Sequence, residues 1–170
     1  LKEARKEIAK EIAETEKRRD DIAKLEDASK KLDDLAKDQA KVADAAKNEA
    51  AKPQAKPNAD LADKQAKITP PTKDGAKDLK DTAPKAAEKV NDAAKTMEAA
   101  KKDLAEAKNQ DGAKKADDAK KNLADAKKEL DKKLDELKGK EVAAQAAGYH
   151  GFEELPETAR ADMTAEAVIV

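Results

Sequence analysis

The apolar positions of this chain recur at helical spacing and most of them are alanine. That confines the fold to helices that approach closely and bury little surface per turn. Of the 65 hydrophobic residues 39 are Ala, so 12 Leu, 5 Ile, 5 Val, 2 Met, one Tyr and one Phe supply nearly all the large apolar surface of 170 residues. Leu, Ile, Val and Phe number only 23, below the ~20% at which disorder becomes the default. Yet 37 basic side chains stand against 38 acidic ones, and the net charge of -1 removes the repulsion that usually accompanies disorder. Both facts favour thin, extended helices. They also leave almost nothing to line the concave apolar pocket that an enzyme generally needs.

The fold expected is all-α: long, extended Ala-rich helices forming a coiled-coil hairpin or slender bundle, with a Pro-rich connector and a short C-terminal docking segment. Residues 1–52 contain no Gly or Pro, and Leu1, Ile8, Ile12, Ile22, Leu25, Leu32, Leu35 and Val42 fall on one stripe. Opposite charges at i,i+4, such as Glu14 with Arg18 and Asp33 with Lys37, add a few tenths of a kcal/mol each. A helix of this length would measure about 78 Å, so the stretch reads as the first coiled-coil arm. Pro53 and Pro57 end it. Residues 53–84 hold five of the six prolines and read as the connector, with a short helix near 58–68.

Within that connector, residues 60–68 echo residues 34–42 at an offset of 26, identical at six of nine positions. A duplicated unit and plain low complexity both account for the match. Residues 85–138 read as the second arm, with Asp81 or Thr82 as its cap and Pro84 in its first turn. Its stripe before Asp111-Gly112 and its stripe after them differ by roughly 80° around the helix axis, so the arm is either kinked or reversed near 109–112. A reversal would use Asn109 as a left-handed closing residue and Asp111 as the next cap. The two arms are expected to pack through Ile8, Ile12, Ile22, Leu25, Leu32, Leu35, Val90, Leu104, Leu123, Leu130 and Leu137.

The composition changes at Gly139. Residues 139–170 carry 2 basic and 6 acidic side chains, a net of -4, together with both aromatics and the only His. Tyr149, Phe152, Leu155, Val168, Ile169 and Val170 are the expected interaction residues of an acidic, aromatic-containing C-terminal segment. A cluster of large apolar groups on a chain otherwise poor in them needs a partner surface. His150 is expected to be structural.

Catalytic sites fail on inventory. One His, no Cys and a single serine, Ser29, inside a charged helix assemble neither a Ser-His-Asp nor a Cys-His arrangement. His150 with Glu153 and Glu154 lacks the second His of a zinc site. A calcium loop aligned on Gly112 puts Ala107 at the first ligand position and Asp118 where a bidentate Glu belongs. No Gly-rich phosphate loop is present, so no catalytic residue, metal or cofactor is expected. Lysine pairs such as Lys114-Lys115 and Lys120-Lys121 are broken by carboxylates and have no aromatics among them, which argues against nucleic acid. The longest apolar runs are a few residues, so no transmembrane segment is expected, and lipid contact is disfavoured on the same ground. Residue 1 is Leu and no signal segment follows it, so the chain reads as a processed or excised piece.

The stretches 99–108 (AAKKDLAEAK) and 119–130 (AKKNLADAKKEL) resemble, in composition, the Ala/Lys-rich helical coiled-coil regions of bacterial envelope or surface proteins. Such regions include the middle of TolA, helical streptococcal surface proteins and type III secretion translocators. The resemblance covers residues 1–138, contains no diagnostic motif and carries over no functional residue. It implies a non-enzymatic structural spacer or scaffold in a larger assembly of the bacterial envelope or cell surface, with protein partners or self-assembly. The alternatives are a helical protein-binding or adhesion module and a conditionally disordered protective protein.

Overall fold

A computed structural model describes residues 2–52 and 56–153. Among the described residues it is all-α, with four helices and no strand: α1 (Lys2–Ala50), α2 (Ala59–Leu79), α3 (Pro84–Ala105) and α4 (Asn109–Glu153). The chain divides into a larger unit, Asp20–Leu134, and a smaller one made of Leu1–Arg19 and Asp135–Val170. Parts of α1 and α4 belong to each.

In the larger unit the four helices form a bundle in which sequence neighbours run antiparallel. Lys47 bonds Asp117 and Lys127 bonds Asp33, so α4 descends as α1 rises. Asn58 N–H donates to the Leu104 carbonyl at one end of α2 and α3, and Lys73 pairs with Glu98 further along. Asp103 of α3 pairs with Lys115 of α4 across the last turn. One core cluster draws Ala46 from α1, Leu61 and Ala62 from α2, Leu104 from α3 and Ala113 from α4; a second joins Ala43, Ala100 and Ala116. Alanine at these points lets backbones approach, while Leu25, Leu79, Met97, Leu104, Leu123 and Leu130, all fully buried, supply most of the apolar area.

The segment expected as a connector with a helix near 58–68 folds instead as the 21-residue α2, which continues through Pro70 and Pro71. Asn58 caps it by accepting from Leu61 N–H at 3.0 Å. The prolines deprive only the Ala66 and Lys67 carbonyls of their i+4 donors, and both prolines are exposed, Pro71 at the edge of the space between α1 and α2. On the buried side Thr69 and Thr72 donate their hydroxyls to the Gln65 and Ile68 carbonyls, so the inner face leaves no hydroxyl unpaired.

The break in the second arm is a turn between α3 and α4 at Glu106–Lys108, slightly before the position read from the sequence. Ala107, not Asn109, takes the left-handed conformation, with φ 63°. Asn109 is the first residue of α4, buried, with its amide donating to the Lys56 carbonyl at 3.1 Å. Gly112 is required here by close approach, because a Cβ at that position would lie 2.8 Å from the Leu104 side chain. At the start of α3 neither Asp81 nor Thr82 caps. The cap is Ala83, which makes no side-chain bond, and Pro84 opens the helix as expected.

The smaller unit is built differently. Glu141 of α4 is buried and accepts from Arg18 Nη1 at 3.2 Å, from Arg19 Nε at 2.7 Å and from Gln145 Nε2 at 3.3 Å. Ile8 and Ile12, expected in the seam, are 56% and 54% exposed, and Val142 is 65% exposed. The physical reason is the number of helices. Neither α2 nor α3 contributes to this unit, and two helices alone cover only a narrow line of contact.

Candidate docking surfaces

The register of the larger unit is set by a buried polar layer. Gln39 of α1 and Gln65 of α2 are fully buried and donate to each other's amide oxygens at 3.2 and 2.7 Å, and Gln39 Nε2 also donates to the Ala116 carbonyl of α4 at 2.8 Å. Sliding either helix by one turn would strand these groups in an apolar core, at about 1–3 kcal/mol for each group left unpaired. The two glutamines occupy equivalent positions in the 26-residue echo.

Beyond that layer, toward the start of α1, the space between α1 and α2 opens into a cleft of about 360 Å³. Its floor is apolar: Leu32, Leu79 and Val90 are buried and Leu35 is half-buried. The cleft stays open because Ala28 and Gly75 present almost no side chain to it, and a Cβ at Gly75 would meet nothing within 4 Å. Asp34 and Asp38 on α1 and Asp74 and Asp78 on α2 line it, against the single cation Lys31, so the lining carries four negative charges and one positive, a net of -3. Asp34, Asp38 and Asp74 pair along their own helices with Lys37, Lys41 and Lys77, whereas Asp78 makes no ion pair among the described residues. Among the described residues no group of three or more His, Cys, Asp or Glu could hold a metal.

Cross-helix ion pairs tie α1 to α4. The ammonium groups of Lys47 and then Lys121 hold the Asp117 carboxyl below the usual range, and Asp33 raises the Lys127 ammonium above its usual range. Lys127 also donates to Ser29 Oγ at 3.3 Å, which places the only serine in a half-buried structural contact. On α4, Lys132 lowers Glu129, and at the α3–α4 turn Lys108 lowers Glu106. Solvent screens exposed pairs of this kind, so they orient surfaces more than they stabilise them.

In the smaller unit Ile8, Ile12 and Arg5 share one face of α1, by their spacing of three and four. Residues 2–19 carry seven basic and five acidic side chains, a net of +2. The Arg19 hydrogen bond, with those from Arg18 and Gln145, holds the Glu141 carboxyl below its usual range.

Of the interaction residues expected from the sequence, Tyr149 and Phe152 sit on the backbone of α4, but their side chains lie outside the described residues, as do Leu155, Val168, Ile169 and Val170. The side chain of His150 lies outside them too. Sequence reasoning missed the cleft because its α2 wall was read as connector. A signal was present: Leu61, Gln65, Ile68, Thr72 and Leu79 repeat at steps of four, three, four and seven. No described helix is long and apolar enough to cross a membrane. Compared with protein-family models, curated proteins and solved structures, the chain matches none.

Proposed function

We propose that this chain is a non-enzymatic structural protein, a helical, coiled-coil spacer or scaffold that joins a larger assembly through protein contacts. The compositional resemblance of residues 1–138 makes a bacterial envelope or surface assembly the setting of this reading. The observation that carries it is the Gln39–Gln65–Ala116 layer. A buried polar layer adds less stability than apolar packing would but fixes one register, which is what a part that transmits position needs. The docking end in this reading is the C-terminal segment, through Tyr149, Phe152, Leu155, Val168, Ile169 and Val170. The acid-lined apolar cleft favours the second reading, a helical protein-binding module, because it offers a concave surface with an apolar floor and mostly acidic walls.

Spin labels at the exposed Lys37 of α1 and Lys67 of α2 test the spacer directly. A fixed register gives one narrow distance distribution, and a broad or multi-peaked one sinks the proposal. Circular dichroism in dilute buffer tests the protective alternative, since such a chain would be largely coil.

A further inference from the structure

The exposed isoleucines at the start of α1 belong to a face that is complementary to itself. At about 100° per residue, Ile8, Ile12, Arg5 and Glu16 fall within an arc of about 80°, and Arg18, which reaches Glu141 of α4, lies about 80° from Ile8 on the other side. The face is therefore turned away from α4, and both isoleucines are more than half exposed on it. Arg5 and Glu16 are exposed too and make no ion pair among the described residues, whereas Lys10 and Glu14 on the opposite side pair along the helix. Arg5 and Glu16 stand about 16 Å apart along the axis, too far to meet within one chain. Residues 2–17 carry five basic and five acidic side chains, so the segment does not repel a second copy of itself.

We propose that two copies of this chain associate through this face, α1 against α1 in antiparallel sense, about a two-fold axis at the level of Lys10 and Glu11. The registers agree. The midpoint of Ile8 and Ile12 and that of Arg5 and Glu16 coincide to within half a residue. One alignment therefore sets Ile8 of each copy against Ile12 of the other and, at both ends, Arg5 against Glu16. A two-fold parallel alignment would instead set Arg5 against Arg5 and Glu16 against Glu16. In the antiparallel contact four isoleucines leave water between two opposite-charge pairs, and two α1–α4 ends together supply four helices, the number that buries the seam in the larger unit. The contact is isologous, so it closes at two chains. It covers about three turns of helix, less than a standard interface, and the association is accordingly weak and reversible. This deepens the scaffold reading, and rests on it, by giving the scaffold a self-assembly contact.

The test uses the full chain and sedimentation velocity from about 10 µM to 1 mM, the range suited to a contact of this size. Wild type is expected to pass from one chain to two as concentration rises and to go no further. Ile8→Ser/Ile12→Ser should associate on the order of a hundredfold more weakly, because the dimer loses four isoleucines. Arg5→Glu alone and Glu16→Arg alone each set like charges together at both ends, and each should associate about tenfold more weakly than wild type. Mixed one to one, these two charge variants should form a two-chain complex as tight as the wild-type dimer, because both ends of the mixed pair again set opposite charges together. All the substituted side chains are exposed, and circular dichroism checks that the helices persist. Wild-type protein that stays monomeric, any of the three variants associating like wild type, or a mixture no tighter than its components overturns the proposal. A monomeric wild type with a single narrow Lys37–Lys67 distance would leave the spacer standing without this contact, whereas a broad distance distribution would remove the spacer itself.

Discussion

Residues 20–134 and the paired ends of α1 and α4 are made from the same few amino acids, yet one buries eight of its nine leucines and the other leaves two isoleucines and a valine more than half exposed. The difference is the number of helices around the seam. Four helices surround a line of Ala and Leu on all sides, so even a thin core excludes water; two helices share only a narrow strip. The least exposed polar side chains also differ. In the larger unit the Gln39 and Gln65 amides, fully buried, bond each other and the Ala116 carbonyl, while Asp103 is buried at the α3–α4 end with Lys115 as its partner; in the smaller the buried polar group is a carboxylate held between two guanidinium groups. Amides suit a dry core because both can be satisfied without moving charge out of water, whereas the Arg18 and Arg19 pair works at a seam that solvent still reaches.

The sharpest way to break this contrast is truncation at one site in each unit. Leu130→Ala in the larger unit should cost about 2–5 kcal/mol in a urea titration, while Ile12→Ala in the smaller should stay within about 0.5 kcal/mol. Equal losses would mean that both ends rest on a core of the same kind. Next in size, Gln39→Leu should lose about 1–3 kcal/mol because it leaves Gln65 buried without its partner, and adding Gln65→Leu should recover part of that loss. An additive pair would show that the two amides are not coupled.

The glycines give a comparison of opposite sign. Gly112→Ala forces a methyl into the Leu104 side chain and should destabilise by about 1–3 kcal/mol, whereas Gly139→Ala, in the smaller unit, meets nothing within 4 Å and should stabilise by about 1 kcal/mol through helix propensity. Thermal melts of the two variants should move in opposite directions. The smallest effect concerns pH. Because Arg19 and Arg18 hold the folded Glu141 carboxyl below its unfolded value, its contribution is fully present above the unfolded value of about 4.3 and is lost as pH falls through the folded one. Protection of the amides near Glu141, measured against the intrinsic exchange rate at each pH, should therefore fall as the pH drops below the ordinary carboxylate range, and Glu141→Gln should remove that pH dependence while Leu130 and its neighbours keep theirs.

Much of the larger unit was legible from spacing alone. Leu25, Leu32, Val90, Leu104, Leu123 and Leu130 are buried as the 3-4-7 pattern requires, and the 80° change of stripe placed a break between α3 and α4 to within a few residues while leaving kink and reversal equally open. Two things were hidden. Pro70-Pro71 reads as a stop because proline removes donors, but the cost depends on which face loses them, and periodicity shows that face only after the helix is granted. Ile8 and Ile12 read as seam residues because their spacing continues the stripe, but spacing reports a face and not how many helices cover it. For the candidate surfaces the segment at the start of α1 was visible as an apolar pair, while the cleft needed α2 in place before its Asp residues and Gly75 could be seen on one wall.

The amide pair also bears on how a chain of near-identical helices recognises itself. Gln39 and Gln65 are the same residue in nearly the same local sequence, so the pair is blind to which helix supplies which half, and α1 of one molecule would offer α1 of another the same two bonds. The ambiguity is broken by the second amide hydrogen of Gln39, which reaches the Ala116 carbonyl only when α4 lies alongside. In a core of alanines, whose contacts distinguish one neighbour poorly from the next, one hydrogen bond thus carries much of the molecule's ability to tell its own helices apart from another's.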